Sequence, residues 1–351
     1  VSATMSRRSL SPLTRAYERN LKALTKVALG SGKRIARRVS DAAAQQLKPP
    51  PGPGDWIAGA ALGPAGARAF HLYRPPALQL QPGEKLPLMV MLHGCAQTGR
   101  EFAIATRMNR VADRERFLVL YPEQDRLANA QGCWNWYDRR SGKADAEAAT
   151  LMAAIDQVLL LYPADRERVA VAGLSAGASM AALLATRYPL RFRAVAMHSG
   201  VAPGAAKSPA TALGAMRGRH VPPMPATAVG KAMGAAAVFG TLPPLLILHG
   251  EADSVVAPSN AGSSAEVWAV ATGGRPGAVR VLQRGKRHPM RVTDFVRAGQ
   301  AVVTLCEIAG LGHAWSGGAS SMRFTDAAGP DASKLVWAFA ARQFRRTMAS
   351  P

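Results

Sequence analysis

The chain has 351 residues, 48% of them hydrophobic, which is enough to bury one large core. Three cysteines are too few for a disulfide scaffold, and no run of 18 apolar residues could cross a membrane as a helix. Forty-four Lys and Arg against 22 Asp and Glu give a formal charge of +22, which favours anionic partners or surfaces but says nothing about fold.

Much of that charge sits at the start. Residues 1–50 hold eleven basic and two acidic residues. From Arg15 to Leu29, leucines recur at helical spacing with Arg19, Lys22 and Lys26 between them, as in a basic amphipathic helix. Such a segment suits an anionic surface, either lipid or the coat of a storage granule. Charge alone would also hold nucleic acid, but no specific nucleic-acid recognition is expected. The blander expectation is a solvated, partly disordered extension. Arg7-Arg8 is not followed by an apolar segment, so no signal peptide is recognised and a cytoplasmic location is expected. The Pro/Gly-rich stretch 51–64 reads as a linker into a catalytic domain over 65–348.

Along that domain, strands are expected near 67–74, 87–93, 117–121, 168–173, 194–198, 244–249, 278–283 and 301–308. Helices are expected near 101–114, 145–161, 176–187, 261–271 and 331–346. The alternation predicts an α/β fold with a doubly wound, mostly parallel sheet and helices on both faces. Residues 201–243 are rich in Ala, Gly and Pro and contain no acid; a lid insertion is expected there. No metal-ligand spacing, P-loop or dinucleotide fingerprint occurs, so neither cofactor nor metal is expected.

The most specific chemistry lies at Gly173-Leu-Ser175-Ala-Gly177, between an apolar strand and an Ala/Leu-rich helix. A serine on such a sharp turn projects its hydroxyl beyond the sheet edge, and the flanking glycines relieve backbone crowding. Ser175 is therefore the expected nucleophile, against an idle serine in a Gly-rich turn. Elbows of this kind carry their partners in the order serine, acid, histidine. No carboxylate occurs between Glu167 and Glu251, so the acid lies at Glu251 or beyond, leaving His288 or His313 as base. Asp253, just past the apolar run Pro244–His249, is favoured over Glu251. His288 lies in the basic run Arg284–His288 and looks solvated; His313, on a Gly-rich loop after a strand, is the expected base.

An oxyanion needs donors. The first is the Ala176 N–H, which follows the nucleophile. The second lies in the turn after Pro87–Leu92, at Cys95 or its neighbour Ala96. His93 has no free chemical role and is expected to shape that turn. Trp134, Tyr137 and Trp315 are the expected substrate-binding aromatics, with Trp136 a candidate for core packing.

Five ordered motifs span roughly residues 65–345: Leu92-His-Gly-Cys-Ala-Gln97, Cys133-Trp-Asn-Trp-Tyr137, Gly173-Leu-Ser-Ala-Gly177, His249-Gly-x-x-Asp253 and Gly310-Leu-Gly-His-Ala-Trp-Ser-Gly317. Together they resemble the esterases of the poly(3-hydroxybutyrate) depolymerase family, relatives of feruloyl and acetylxylan esterases. The resemblance implies an α/β-hydrolase fold and ester hydrolysis through an acyl-serine intermediate. It implies Ser175, Asp253 and His313 as the triad and Cys95 as carrier of the second oxyanion amide. It also leads us to expect a Cys95–Cys133 bridge bracing that turn, while Cys306, inside an expected strand, reads as a buried thiol. Secreted members carry a signal peptide and a polymer-binding domain. Neither is recognisable here, so small esters, soluble oligomers or an internal store are the expected substrates, although the resemblance leaves secretion open. A feruloyl or acetylxylan ester is the alternative substrate. An idle hydrolase fold that binds a granule or membrane surface through its basic N-terminus is the alternative function.

Overall fold

Four strands of the main sheet are buried along their whole length: β3 (Leu86–Leu92), β4 (Leu118–Pro122), β6 (Ala194–His198) and β7 (Leu245–Gly250). Strands like these need cover on both faces, the condition of a parallel sheet between helices. The structure, a computed structural model, describes residues 48–76, 80–219 and 242–348. Apart from Lys48 they belong to the unit Pro49–Pro351, which is separate from the unit Val1–Lys48.

The main sheet has the order β1 (Asp55–Gly63), β2 (Gly66–Arg74), β4, β3, β5 (Ala164–Leu174), β6, β7, β11 (Gln300–Ile308), β10 (Met290–Arg297) and β8 (Arg275–Pro276). A short β9 (Arg280–Leu282) also pairs with β10. From β4 to β11 neighbouring strands run parallel, and the outer pairs are antiparallel.

Alternation along β3 divides the core in two. Leu88, Val90 and Leu92 face one side, with α3 (Lys143–Leu161), α4 (Ala176–Arg187) and α6 (Ser259–Thr272). Met89 and Met91 face the other, with α1 (Gly99–Thr106), α2 (Met108–Glu115) and α7 (Ala332–Met348). The chain leaves β3 to build β4 on one side, then crosses back to place β5 on the other. That reversal opens a crevice past the C-terminal ends of β3 and β5, the position where such sheets bind ligands. Register aligns the rim: Leu92 pairs with Gly173, Leu174 with His198 and Leu248 with Cys306.

Three expectations change. Residues 55–63 are not linker but β1, an edge strand paired with β2 through its whole length. The single helix expected over 101–114 is two, because Arg107 adopts a left-handed conformation (φ 55°) between α1 and α2. Its guanidinium donates to the carbonyls of Gly317 and Gly318, a contact 210 residues away in sequence. Strand β10 was hidden by the basic run before it. Of the proposed lid, residues 201–219 are described and include α5 (Pro209–Met216), packed with Val201 and Val256 in a small separate core. Residues 220–241 lie outside the described residues, as does the basic segment over 1–47. No helix among the described residues is long and apolar enough to cross a membrane.

Helix α7 is held partly by Phe117, which is fully buried and stacks on Trp337 at 3.8 Å. Truncating a buried phenylalanine costs about 3–5 kcal/mol. Phe117→Ala should therefore lower the urea midpoint markedly while leaving the slope of the transition unchanged.

Candidate active site

Ser175 joins β5 to α4 with φ 56° and ψ −120°, a conformation rare for an L-residue. Its neighbours explain the two glycines. A Cβ on Gly177 would lie 2.2 Å from the Leu92 carbonyl oxygen, and one on Gly173 would lie 2.3 Å from the Gly177 carbonyl carbon. The helix thus sits directly on the end of β3. Ser175 N–H donates to His198 O at 2.9 Å, which fixes the elbow to β6. The Ser175 Oγ has no hydrogen-bond partner among the described residues. It faces a cavity of about 210 Å³.

Asp253 and His313, 60 residues apart, come together: Nδ1–H of the imidazole donates to Oδ2 at 2.8 Å. Glycine again permits the approach. A Cβ on Gly250 would lie 2.0 Å from Leu311 O, so the end of β7 can accept the 309–313 loop only as glycine. The Ala252 N–H then donates to Leu311 O. Asp253 is 4% exposed, and its Oδ1 accepts from Val255 N–H and Val256 N–H, each at 2.9 Å. Burial would raise its pKa, but contact with His249 and His313 and the Val256 N–H outweigh burial and hold the carboxyl well below the usual range. Glu251, the alternative acid, is exposed and pairs with Arg291 at 3.3 Å. With Nδ1 donating to Asp253, Nε2 of His313 is the free acceptor.

In the turn after β3, the Ala96 amide is already engaged and the Cys95 amide is not. Ala96 N–H donates to Gln131 O at 2.8 Å, and Gly94 N–H to Gln97 Oε1 at 2.9 Å. Neither Cys95 N–H nor Ala176 N–H, the latter in the first turn of α4, has an acceptor among the described residues. Cys95 and Ala176 both line the cavity beside Ser175. Cys95 is disulfide-bonded to Cys133, while Cys306 is a free buried thiol.

The aromatics divide differently from expectation. Trp134 is fully buried, donates to His93 O at 3.0 Å and packs against that ring. Trp315 is also buried, stacked on His198 and donating to Ser333 Oγ. Neither lines the cavity. Trp136 and Tyr137 do, facing Ala212, Leu213 and Met216 of α5. Backbone direction separates the tryptophans, since Trp134 and Trp136 flank an asparagine whose bonds anchor the segment. His288 also differs: it is partly buried and bonds Asp326 Oδ2 at 3.1 Å, so it has an orienting partner after all.

Two supporting histidines carry no charge. His93 lies between Gly94 O, to which Nδ1–H donates, and Gln124 N–H, which Nε2 accepts; burial lowers its pKa. His198 accepts Ser316 N–H at 3.1 Å, which ties the loop after His313 to β6. Burial, with His249 and His313 nearby, lowers its pKa to about 3. Only the pairing of polar residues across strand ends could have revealed these roles.

Two measurements test this arrangement. Gly177→Ala forces β3 away from α4 and should abolish activity and lower the melting temperature, whereas Gly262→Ala, with open space at Cβ, should do neither. The second concerns acid. Below about pH 6.5 an unfolded histidine binds a proton that folded His198 refuses until about pH 3. Stability should fall with pH across that window, by about 1.4 kcal/mol per pH unit for each such group. The depressed Asp253 adds to the loss below its ordinary range. His198→Gln, which keeps an acceptor for Ser316, should flatten the slope of melting temperature against pH.

Residues 68–273 match the family model described as Esterase PHB depolymerase. Poly(3-hydroxyalkanoate) depolymerase C of Paucimonas lemoignei is 32% identical over 182 residues, 51% of this chain and 44% of that protein. This chain thus spans less than half of that relative's length. Feruloyl esterase B of Neurospora crassa is 30% identical over 208 residues, 57% of this chain and 68% of the relative. Among solved structures, an acetyl xylan esterase from Aspergillus awamori superposes with a TM-score of 0.60 at 21% identity, covering 75% of this chain and 94% of that one. The fold is that of an α/β-hydrolase, and the chain belongs to the PHB depolymerase family of esterases.

Proposed function

We propose that this chain hydrolyses carboxylic esters through an acyl-serine intermediate. The observation that carries this reading is the Asp253–His313 pair, whose loop is tied through Ser316 to His198, the residue whose carbonyl holds the Ser175 N–H; Ser175, Cys95 and Ala176 in turn line one cavity. His313 Nε2 takes the Ser175 proton as Oγ bonds to the ester carbonyl carbon. The resulting oxyanion is held by the N–H groups of Cys95 and Ala176. The imidazolium, stabilised by Asp253, then gives its proton to the departing alcohol oxygen as the carbon–oxygen bond breaks. A water repeats the sequence: its proton goes to His313, its oxygen bonds to the acyl carbon, and the proton returns to Ser175 as the acid leaves.

The cavity favours short acyl groups. Its walls are small and aliphatic around Ala212, Leu213, Met216 and Val256, with no charged side chain among the lining residues. Short hydroxyalkanoate esters, as monomer or oligomer, fit this lining. A feruloyl ester is the second reading, favoured by the edge-to-face pair Trp136–Tyr137 (centroids 5.5 Å apart) along one wall. Attachment to an anionic surface or granule through residues 1–50 is part of the proposal on the strength of charge alone.

Turnover of p-nitrophenyl butyrate, hydroxybutyrate oligomers and methyl ferulate, measured beside Ser175→Ala, tests both activity and preference. The variant should lose on the order of 10⁶-fold in kcat, and activity that survives it sinks the assignment. Asp253→Asn should cost on the order of 10⁴-fold in kcat, because an amide no longer selects the imidazole tautomer that leaves Nε2 free.

A further inference from the structure

Beneath the oxyanion turn lies a buried carboxylate that the proposed chemistry does not use. Glu147, on α3, is 1% exposed and reaches neither cavity nor solvent. It accepts three donors: Gln124 Nε2 at 2.8 Å, Asn135 N–H at 2.8 Å and Asn135 Nδ2 at 2.5 Å. From there two routes lead to the turn. Gln124 Nε2 also donates to Cys133 O at 2.8 Å. Asn135 Oδ1 accepts from Asn129 Nδ2 at 3.0 Å, and Asn129 Oδ1 accepts Gln131 N–H at 3.0 Å and Cys133 N–H at 3.4 Å. Gln131 O then takes Ala96 N–H, and Cys133 is bonded to Cys95.

We propose that Glu147 is a positioning residue that sets the Cys95 oxyanion amide from within the core, through Gln124, Asn135 and Asn129. The inference rests on the ester-hydrolysis reading. The turn needs such support because Ala96 is held in the left-handed region (φ 58°), where an alanine does not settle by itself. Its N–H must point at Gln131 O for the Cys95 N–H to be left facing the cavity. A carboxylate suits the central place, since every group around it donates and it accepts through both oxygens. Arg68, 1% exposed, lies 3.8 Å away, and none of its guanidinium nitrogens makes a hydrogen bond among the described residues. It supplies charge to the site without directing any group. The cation offsets the burial of the anion, and the anion sets the geometry.

Glu147→Gln keeps the shape but turns one acceptor into a donor aimed at other donors. The readout is the ratio of kcat/KM for an aryl butyrate to that for its thiono analogue, in which sulfur replaces the carbonyl oxygen. Amides placed for an oxyanion discriminate against the larger, weakly accepting sulfur anion, so the ratio reports their geometry and is blind to the fraction of folded enzyme. Glu147→Gln should shrink the wild-type ratio by about tenfold or more. Should Glu147→Gln fail to fold, Gln124→Leu, which cuts the direct route to Cys133, is judged by the same criterion. A folded variant with the wild-type ratio, alongside Ser175-dependent wild-type turnover, overturns the proposal alone. Turnover that does not depend on Ser175 overturns the esterase reading and this proposal with it.

Discussion

The backbone of α4 touches the backbone of β3, and the site depends on that contact. Gly177 lies against the carbonyls of Leu92 and His93 with no room for a methyl group, and Gly173 lies against Gly177. An ordinary residue at either position would push the helix outward and carry the Ala176 amide away from the turn that holds the Cys95 amide. The left-handed Ser175 results from the same crowding, since a strand that ends under a helix this close must reverse within one residue. Ser175 and the Cys95 and Ala176 amides therefore form one rigid piece.

Asp253 and His313 arrive from the loops after β7 and β11, farther along the sheet, by a similar device. Gly250 admits the loop that carries His313, and Asp253 is locked by two backbone amides before it meets the imidazole. His249 also approaches the Asp253 carboxylate, at 3.4 Å, while its own Nε2–H donates to Val256 O at 2.9 Å. His198, a buried imidazole that stays neutral, lies near His313. His93 and His198 serve as fixed donor–acceptor pieces because burial makes protonation costly there.

Some of this was legible in the chain and some was not, for physical reasons. The elbow could be read because its constraint is local: two glycines and a serine encode a backbone shape within five residues. Chain order and the lack of any carboxylate between Glu167 and Glu251 narrowed the acid to Glu251 or beyond and the base to His288 or His313, and strand-end and Gly-rich loop context favoured Asp253 and His313. The roles of the tryptophans could not be read, because motif membership does not say which way a side chain points. Trp134 turns into the core and Trp136 toward the cavity, and the asparagine between them is anchored by a glutamate on another element. Strand β1 was mistaken for linker because an edge strand needs little apolar content and this one follows a Pro/Gly run. The break at Arg107 depends on the carbonyls of Gly317 and Gly318, which no local window contains.

The cavity has two kinds of wall. One is bound by a disulfide, a left-handed elbow and a web of buried hydrogen bonds, and it carries Cys95, Ser175 and Ala176. The other comes from α5, eight residues packed into a small satellite cluster of alanine, valine and methionine. On the proposed reading, the elbow and the aliphatic wall thus come from separate parts of the chain. If that reading holds, drift along one short helix could reshape the fit of the acyl group while the disulfide and elbow stay as they are.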